Sequence, residues 1–512
     1  MTSLCRRIFS AAGRLFPPIF SNFSEIQRAS RCISESVSKI GGTPAAFKNC
    51  LQRLALILLC ISFSGCTLIP KYHRPSLPVP AQYPYTSAQK SAGNAATSDI
   101  GWQEFFKDPR LQKLIGLALK NNRDYRVALL NVEQIRDQYK IVRYAFLPSF
   151  EIDGSGTRKR ALTSGAYSTS STYQASVNTS YEVDLFGHIR SLKAQVLEQY
   201  LATEEASRAA QITLVAEVAV QYLTQRSLDE QLALSRQTLK SVEANYDLTN
   251  KSYQLGNSSA VDLRLAQTQV QSAKVSIAQY ERQRAQAQDA LVLLIGQSIP
   301  PDLVDAMPLS SQDLIEDLPV GLSSDLIERR PDILEAEHQL KAANANIGVV
   351  RAAFFPTITL TASDGTSSAK LSKLFTPGTG IWSFSPQVSL PLFNQNTNLA
   401  NLDAAWVGKR IEIAQYEKAI QVAFSEVSDA MVARDTYNDQ FKAQRDLVAA
   451  QQSRYDLAIA RYKNGIDSYL TVLLAQQDLY SAQENLIQVS VDRLTNLISL
   501  YKALGGGWKE NN

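Results

Sequence analysis

Cysteine disappears early from this 512-residue chain. Cys5, Cys32, Cys50, Cys60 and Cys66 are the whole set, and none lies beyond position 66. That excludes an intramolecular disulfide framework and a cysteine-ligated zinc from the main body. Histidine is scarcer still: His73, His188 and His338 are too scattered for a His-rich metal site. The chain also lacks G-x-S-x-G, H-E-x-x-H and phosphate-loop patterns, each of which marks a particular chemistry. We therefore expect neither an enzyme nor a cofactor. Clustered basic charge is missing too. The formal balance is 52 − 48 = +4, but the first 65 residues hold eight basic and two acidic side chains, leaving 44 − 46 = −2 for the rest. Beyond them Arg158, Lys159 and Arg160 are the only run of three basic residues. A nucleic-acid footprint needs a basic face, so a nucleic-acid partner is not expected.

What precedes position 66 reads as an address. Residues 54–63 form an apolar run of ten, with Lys48 and Arg53 before it and Ser64 and Gly65 between it and Cys66. A positive flank, a short apolar core and small residues at a cut site describe a secretory signal, too short to span a bilayer. The Ser-Gly-Cys ending resembles a bacterial lipoprotein signal, which implies lipidation of Cys66 as the new N-terminus; Phe63 stands where that motif usually has Leu. Residues 1–47 do not fit a signal, and we expect a start site downstream of Met1, at a non-AUG codon because the next methionine is Met307. The expected division is 1–65 as extension and signal, 66–98 as an acylated tether, and 99–512 as the body. Pro70, Pro75, Pro78, Pro80 and Pro84 favour extended, polyproline-like chain in the tether, lying along something.

Helix breakers are absent over long stretches. Residues 188–255 and 257–295 contain no Gly or Pro, 394–464 holds only Gly408, and 466–504 is uninterrupted. These stretches belong to an internal duplication. Tyr246, Gly256, Ala266 and Gly296 recur as Tyr455, Gly465, Ala475 and Gly505, each 209 positions on. Arg143, Phe146 and Pro148 recur as Arg351, Phe354 and Pro356 at 208, and Leu185 and Phe186 as Leu392 and Phe393 at 207. The body is thus two tandem repeats, about 99–300 and 301–508. Each begins with a shorter helix (about 110–142, then 323–350), continues through two alternating segments, and ends in a long helical hairpin turning at Gly256 or Gly465. Gly ends a helix without a Cβ penalty.

Heptad-like seams run along the long helices. Leu214, Val218, Leu228, Leu232, Leu239, Val242 and Tyr246 form one; Ile466, Leu470, Leu473, Tyr480, Ile487, Val491, Leu494, Ile498 and Tyr501 form another. A filamentous coiled coil would leave the segments between the helices unexplained. There Phe150 and Ile152, then Tyr173, Ala175, Val177, Tyr181 and Val183, alternate with polar residues. Ile358, Leu360 and Ala362, then Trp382, Phe384, Val388, Leu390 and Leu392, do the same. Period-two patterning marks strands with one apolar and one wet face. Four strands cannot close a barrel, and an open edge cannot face hydrocarbon. Two chains would give eight strands, which side chains would fill; three give twelve, wide enough for a lumen.

The chain resembles the TolC-like outer-membrane efflux proteins, and most closely the lipoproteins serving resistance-nodulation-division multidrug pumps. The resemblance spans about 66–508. It rests on Gly101 and Trp102 with Phe105, Phe106, Asp108 and Pro109; on the run from Tyr181 to Gly187; on Glu328, Arg329, Arg330, Pro331, Asp332 and Ile333; on Ala352 through Pro356; and on Tyr501 through Trp508. It implies a mixed fold of long α-helical barrel and membrane β-strands, four strands per chain in a trimeric 12-stranded barrel. It implies a homotrimer acting as a passive exit duct for drugs and toxic compounds, partnered by a periplasmic adaptor, an inner-membrane transporter and outer-membrane lipid. The alternative within the family is a type I secretion or heavy-metal export channel. Leu255 and Gly256, with Asp262 six residues past the Gly, resemble the family's tip motif and imply adaptor contact. Gly465 is the second-repeat counterpart, with Thr471 in place of Asp262. Asp467, two residues past Gly465, falls on the family's acidic gate ring; the alternative is that it caps the helix starting near Ser468.

Overall fold

A computed structural model describes residues 67–80, 83, 100–163, 166–301, 303, 307–312, 314–315, 318, 329–392 and 395–508. Cys66 and the signal-like segment lie outside the described residues. The body opens with a single helical turn, α1 (Trp102–Phe105), and two helices, α2 (Pro109–Asn121) and α3 (Arg123–Tyr144). A hairpin of β1 (Ser149–Thr163) and β2 (Ala166–Glu182) follows, then the long α4 (His188–Gln254) and α5 (Ala260–Ile295). The second repeat gives α6 (Pro331–Ala352), β3 (Thr357–Ser368), β4 (Gly380–Ser389), α7 (Gln395–Lys463) and α8 (Tyr469–Ala503).

The long helices form as the missing breakers require. The 67 residues of α4 reach roughly 100 Å at 1.5 Å per residue, and α7 has 69. At both hairpin turns the glycine takes a left-handed conformation, φ +78° at Gly256 and +69° at Gly465. Matching hydrogen bonds close them: Gly256 N–H to Tyr253 O and Asn257 N–H to Ser252 O, then Gly465 N–H to Tyr462 O and Ile466 N–H to Arg461 O. This pair of bonds is the Schellman termination, which satisfies carbonyls that the helix end would orphan. The first short helix departs from expectation. It breaks at Asn122, whose backbone leaves the helix and whose side chain accepts from Tyr125 N–H at 2.8 Å, starting α3 afresh.

The duplication reappears in side-chain bonds. Asn122 Nδ2 donates to Leu294 O at 2.9 Å, and Arg330 Nη1, 208 positions on, donates to Ala503 O at 2.9 Å, 209 positions on. Gln221 reaches Ala287 O and Asn496 reaches Ala430 O, both at 2.9 Å, crossing one equivalent pair of positions in opposite directions.

The four strands form one antiparallel sheet in the order β1-β2-β3-β4, with β1 and β4 as free edges. The register sets Ile152 beside Val177, Val177 beside Asp364 and Asp364 beside Trp382. The apolar residues named from the alternation therefore share one face, with Asp364 as a charged exception. On a single chain this face is largely uncovered at its edges: Ile152 is 83% and Trp382 79% exposed. Among the described residues no helix is long and apolar enough to cross a membrane.

The main core lies where the short helices meet the long ones. Phe105 stacks on Tyr501 with ring centroids 4.0 Å apart, and Phe106 meets the same ring edge-on. Each buried Phe is worth about 1.5–3 kcal/mol. Asp108 is buried: it caps α2 through Arg110 N–H at 2.8 Å and accepts from Tyr222 Oη at 2.6 Å and Gln312 Nε2 at 2.9 Å. Arg330, also buried, pairs with Asp332 at 2.6 Å and Glu426 at 2.8 Å.

The proline-rich tether is a strap along α6. Residues 67–80 form neither helix nor strand. Arg351 donates to Leu68 O at 3.1 Å, Asn344 to Pro70 O at 2.8 Å, and Arg74 grips the buried Glu337 carboxylate at 2.8 and 3.0 Å.

Candidate functional site

The two hairpin turns end in one place. Ala266 on α5 shares a buried cluster with Tyr455, Ala458, Tyr469, Val472 and Leu473 of the second hairpin. Tyr462 and Tyr469 meet edge-to-face, centroids 5.6 Å apart. Burial, with the neighbouring Tyr462, Tyr455 and Asp262 adding to it, pushes the Tyr469 hydroxyl up to about 12. The structure thus brings Asp262, Gly465 and Asp467 to the same end as Gly256.

The two tips differ in chemistry. In the first, Ser259 N-caps α5, its hydroxyl accepting from Asp262 N–H at 3.0 Å. The Asp262 carboxylate accepts in return from Ser259 N–H at 3.3 Å and from its hydroxyl at 2.7 Å. Asp262 therefore completes a capping box, satisfying helix donors that would otherwise be orphaned. In the second tip Ser468 is the N-cap residue of α8 and makes no side-chain cap bond. Asp467 does not cap either. Its two oxygens accept from Arg461, at 2.6 Å from Nε and 3.0 Å from Nη2. These bonds hold the Asp467 carboxyl below its ordinary range and raise Arg461 above its own. The capping alternative raised from the sequence is thus replaced by an ion pair within the chain.

Neither tip glycine has an atom within 4 Å of where a Cβ would stand. Leu255 and Val261 on the first tip, and Ile466, Leu470 and Leu474 on the second, are exposed. Ile466 and Leu470, expected to pack in the α8 seam, are only partly covered within the chain. The end thus exposes apolar side chains beside two glycine turns and the Arg461–Asp467 ion pair.

Above the tips, polar contacts tie the hairpins together. The Ser235 and Tyr480 hydroxyls meet at 2.8 Å, Ser241 and Tyr455 at 3.0 Å, and Tyr280 donates to Glu484 at 2.6 Å. Ser235 falls between Leu232 and Leu239 of the first seam and Glu484 between Tyr480 and Ile487 of the second, each a polar interruption of its stripe. A polar residue on a seam is the available signal that it has a partner on the facing helix.

A family model described as outer membrane efflux protein matches residues 114–297 and 322–506. The chain belongs to the outer membrane efflux protein family. It is similar to a toluene efflux pump outer membrane protein, TtgC, of Pseudomonas putida, 47% identical over 464 residues, covering 89% of this chain and 96% of that one. It is also similar to outer membrane protein OprJ of Pseudomonas aeruginosa, 41% identical over 462 residues, covering 89% and 96%. Among solved structures, the open state of the Neisseria gonorrhoeae MtrE outer membrane channel superposes with a TM-score of 0.80 at 40% identity, over 87% of this chain and 99% of that one. The two matched segments of the family model fall one on each repeat.

Proposed function

We propose that this chain is the outer-membrane component of a tripartite efflux pump, a passive duct that discharges drugs and toxic compounds and transforms none of them. The observation that carries the reading is a four-stranded sheet with two free edges and a largely uncovered apolar face, joined to two helical hairpins, the longest helix spanning about 100 Å. With its apolar face in lipid, a sheet must close into a barrel, because unpaired edge groups cannot face hydrocarbon. Three copies supply twelve strands, enough for a lumen, so the working unit is a homotrimer in the outer membrane. The likeness to efflux-pump outer membrane proteins of Pseudomonas supports the same reading.

The hairpin tips are the partner-facing end. Gly256, Asp262 and Gly465 form the surface for a periplasmic adaptor, which links the duct to an inner-membrane transporter that supplies the energy. Asp467 lies at the gate, its carboxylate held by Arg461. Cys66 carries lipid, and the strap brings the chain from it onto α6.

Deletion of the gene, with a susceptibility panel of drugs, solvents and metals, tests the reading. Hypersensitivity to several unrelated drugs, reversed by the wild-type gene, is the expected result. Sensitivity to metal ions alone, or an unchanged panel, overturns it. Native mass spectrometry of detergent-extracted protein should give three copies, and a stable monomer contradicts the trimer.

A further inference from the structure

Arg158, Lys159 and Arg160, the one run of three basic residues in the body, take no part in the duct's helices or tips. They lie toward the far end of β1. The strand ends at Ser149, Glu182, Thr357 and Ser389 lead to helices, and the opposite ends join strand to strand. From Gly154 to Tyr181 the chain has these three basic residues and no acidic one. From Gly365 to Leu392 it has Lys370 and Lys373, and again no acidic residue. Both strand hairpins thus end in unbalanced positive charge. Alternation along β1 divides the run. Arg158 and Arg160 share the face of Phe150 and Ile152, while Lys159 points the other way with Glu151 and Asp153.

The register gives the height of the pair. The apolar face starts at the row of Val183, Ile358 and Val388 and ends at the row of Gly156, Tyr173 and Ser368. Those rows are ten residues apart along the chain of β2 (183 − 173). At about 3.4 Å per residue and a tilt of about 40°, that is a rise of about 26 Å. The lipid-facing band of a membrane barrel is about 25 Å tall and bounded by aromatic residues. Tyr173 stands at the upper edge, its ring over Gly156 and 3.1 Å from where a Cβ would lie. Arg158 is one row above that edge, opposite Ser171, and Arg160 two rows above, opposite Thr169. They sit about 5 and 10 Å beyond the hydrocarbon, within side-chain reach of the headgroup layer. The Arg160 guanidinium lies over the Tyr167 ring, 4.7 Å from its centroid. Among the described residues Asp364 is the one carboxylate on this face. It is level with Ile152, six residues lower on β1 and about 20 Å from Arg158, too far to neutralise the pair.

We propose that Arg158 and Arg160 bind the phosphate groups of the outer-leaflet glycolipid, whose acyl chains lie on the apolar face below. The outer leaflet of a bacterial outer membrane is built of phosphorylated glycolipid, so fixed phosphates stand at this depth. A guanidinium offers a planar fork of N–H donors that matches two phosphate oxygens at once. The occupant is lipid and not a passing anion, because the pair faces outward above the apolar band. A solute in the lumen meets Lys159 instead. The site rests on the reading of the sheet as part of an outer-membrane barrel, and adds which lipid group that barrel holds.

Titration of the detergent-extracted protein with lipid A, read by native mass spectrometry, tests it. The probes are bisphosphorylated lipid A, the same lipid dephosphorylated, and inorganic phosphate. Arg158→Gln with Arg160→Gln should weaken binding of the bisphosphorylated lipid roughly 30-fold, as expected for two charges at a membrane surface. Dephosphorylated lipid should bind wild type as weakly as the intact lipid binds that variant. Arg158→Lys with Arg160→Lys should retain most of the affinity, and Lys159→Gln should leave it unchanged. All three positions are exposed, and the amount of each variant in the outer-membrane fraction checks its folding. If the double glutamine variant is missing from that fraction, the dephosphorylated lipid on wild type makes the same test. Equal binding of the two lipids, or of the intact lipid to wild type and the double glutamine variant, overturns the site. An equal loss in Lys159→Gln would reduce the effect to net charge and also overturn it. Displacement of the lipid by inorganic phosphate assigns the pair to soluble anions and overturns the lipid assignment. Wild-type protein absent from the outer-membrane fraction refutes the barrel reading itself.

Discussion

Replacing Glu337 should release the strap at residues 67–80. Glu337 is 3% exposed and is the acceptor shared by Tyr72 at 3.1 Å and Arg74 at 2.8 and 3.0 Å, with Lys341 at 3.5 Å. Burial alone would raise its carboxyl. The hydrogen bond from Arg74 and the charges of Lys341 and Arg74 outweigh burial and set it below the usual range. A hydrogen bond to a charged group contributes about 1.5–3 kcal/mol net. Arg74 is half-exposed, so water recovers part of what its loss costs, and the contact holds the strap by about 2 kcal/mol. At 1.4 kcal/mol per decade, that is roughly a 30-fold rise in the lifted form. Lys71, followed by Tyr72, is a tryptic site inside the strap, whereas Pro75 blocks cleavage after Arg74, and cleavage tracks the open population when closing is fast. Glu337→Ala should be cut there about 30-fold faster than wild type. Glu337→Gln should fall between, keeping an acceptor for Tyr72 and losing the charge. Wild-type cutting rates in both variants would refute the assignment. The pH sign follows from a folded pKa below the unfolded one. Protection is complete above the unfolded carboxylate value, about 4.3, and is lost as pH falls through the lower folded value. Peptic cleavage of the strap should therefore accelerate in acid.

Three further outcomes are expected. Gly256→Trp or Gly465→Trp should abolish drug export at normal trimer abundance, because open space surrounds both positions and the left-handed backbone adds only about 1–2 kcal/mol of local strain; loss of the trimer would point to folding instead. Asp467→Ala should raise the conductance of the trimer in planar bilayers and remove block by divalent cations, and wild-type behaviour in both would exclude a gating role. Intact mass of the mature protein should place an acylated Cys66 at the N-terminus, and Cys66→Ala should lose that mass while the barrel still inserts; a longer, unmodified wild-type terminus would sink the lipid assignment.

The hairpins and the sheet are legible because both rest on local rules. Gly256 stands alone between long stretches without Gly or Pro, and of Gly408 and Gly465 in the second repeat only Gly465 matches it at the 209-residue offset, so one turn position is marked in each repeat. Strict alternation around Ile152, Val177 and Trp382 assigns a face to each side chain before any pairing is known. The break at Asn122 is not legible, since Asn is only mildly unfavourable in a helix. Its cause is a capping bond and a reach to Leu294 O, 172 residues away. Asp467 illustrates a second limit. Spacing brings Arg461 near it, but whether the carboxylate turns to the helix end or to Arg461 depends on side-chain direction in the folded turn. Ile466 and Leu470 mark a third, because an apolar stripe does not say whether its cover comes from the same chain.

The motif residues and the tip residues answer to different constraints. Phe105, Phe106 and Tyr501, which belong to the motifs that together carry the family resemblance, are buried in the main core, where loss of a large apolar side chain costs about 3–5 kcal/mol. Any member that folds this way must fill that volume, whatever it transports. The tips carry no such load: their glycines touch nothing and their polar residues lie near solvent. That freedom has let the two copies of one ancestral turn diverge, the first into a capping box at Ser259 and Asp262, the second into the Arg461–Asp467 pair. A capping box stiffens a helix start and has one stable arrangement. An exposed ion pair is weak and rearranges at little cost. If one hairpin must stay and the other move when the duct opens, the first is built to stay and the second to move. Exchanging the chemistries tests this directly. Thr471→Asp at the N3 position of α8, beside Ser468, should add a capping box and lower the open probability of the trimer in bilayers. An unchanged open probability, with the box formed, would remove the distinction between the hairpins.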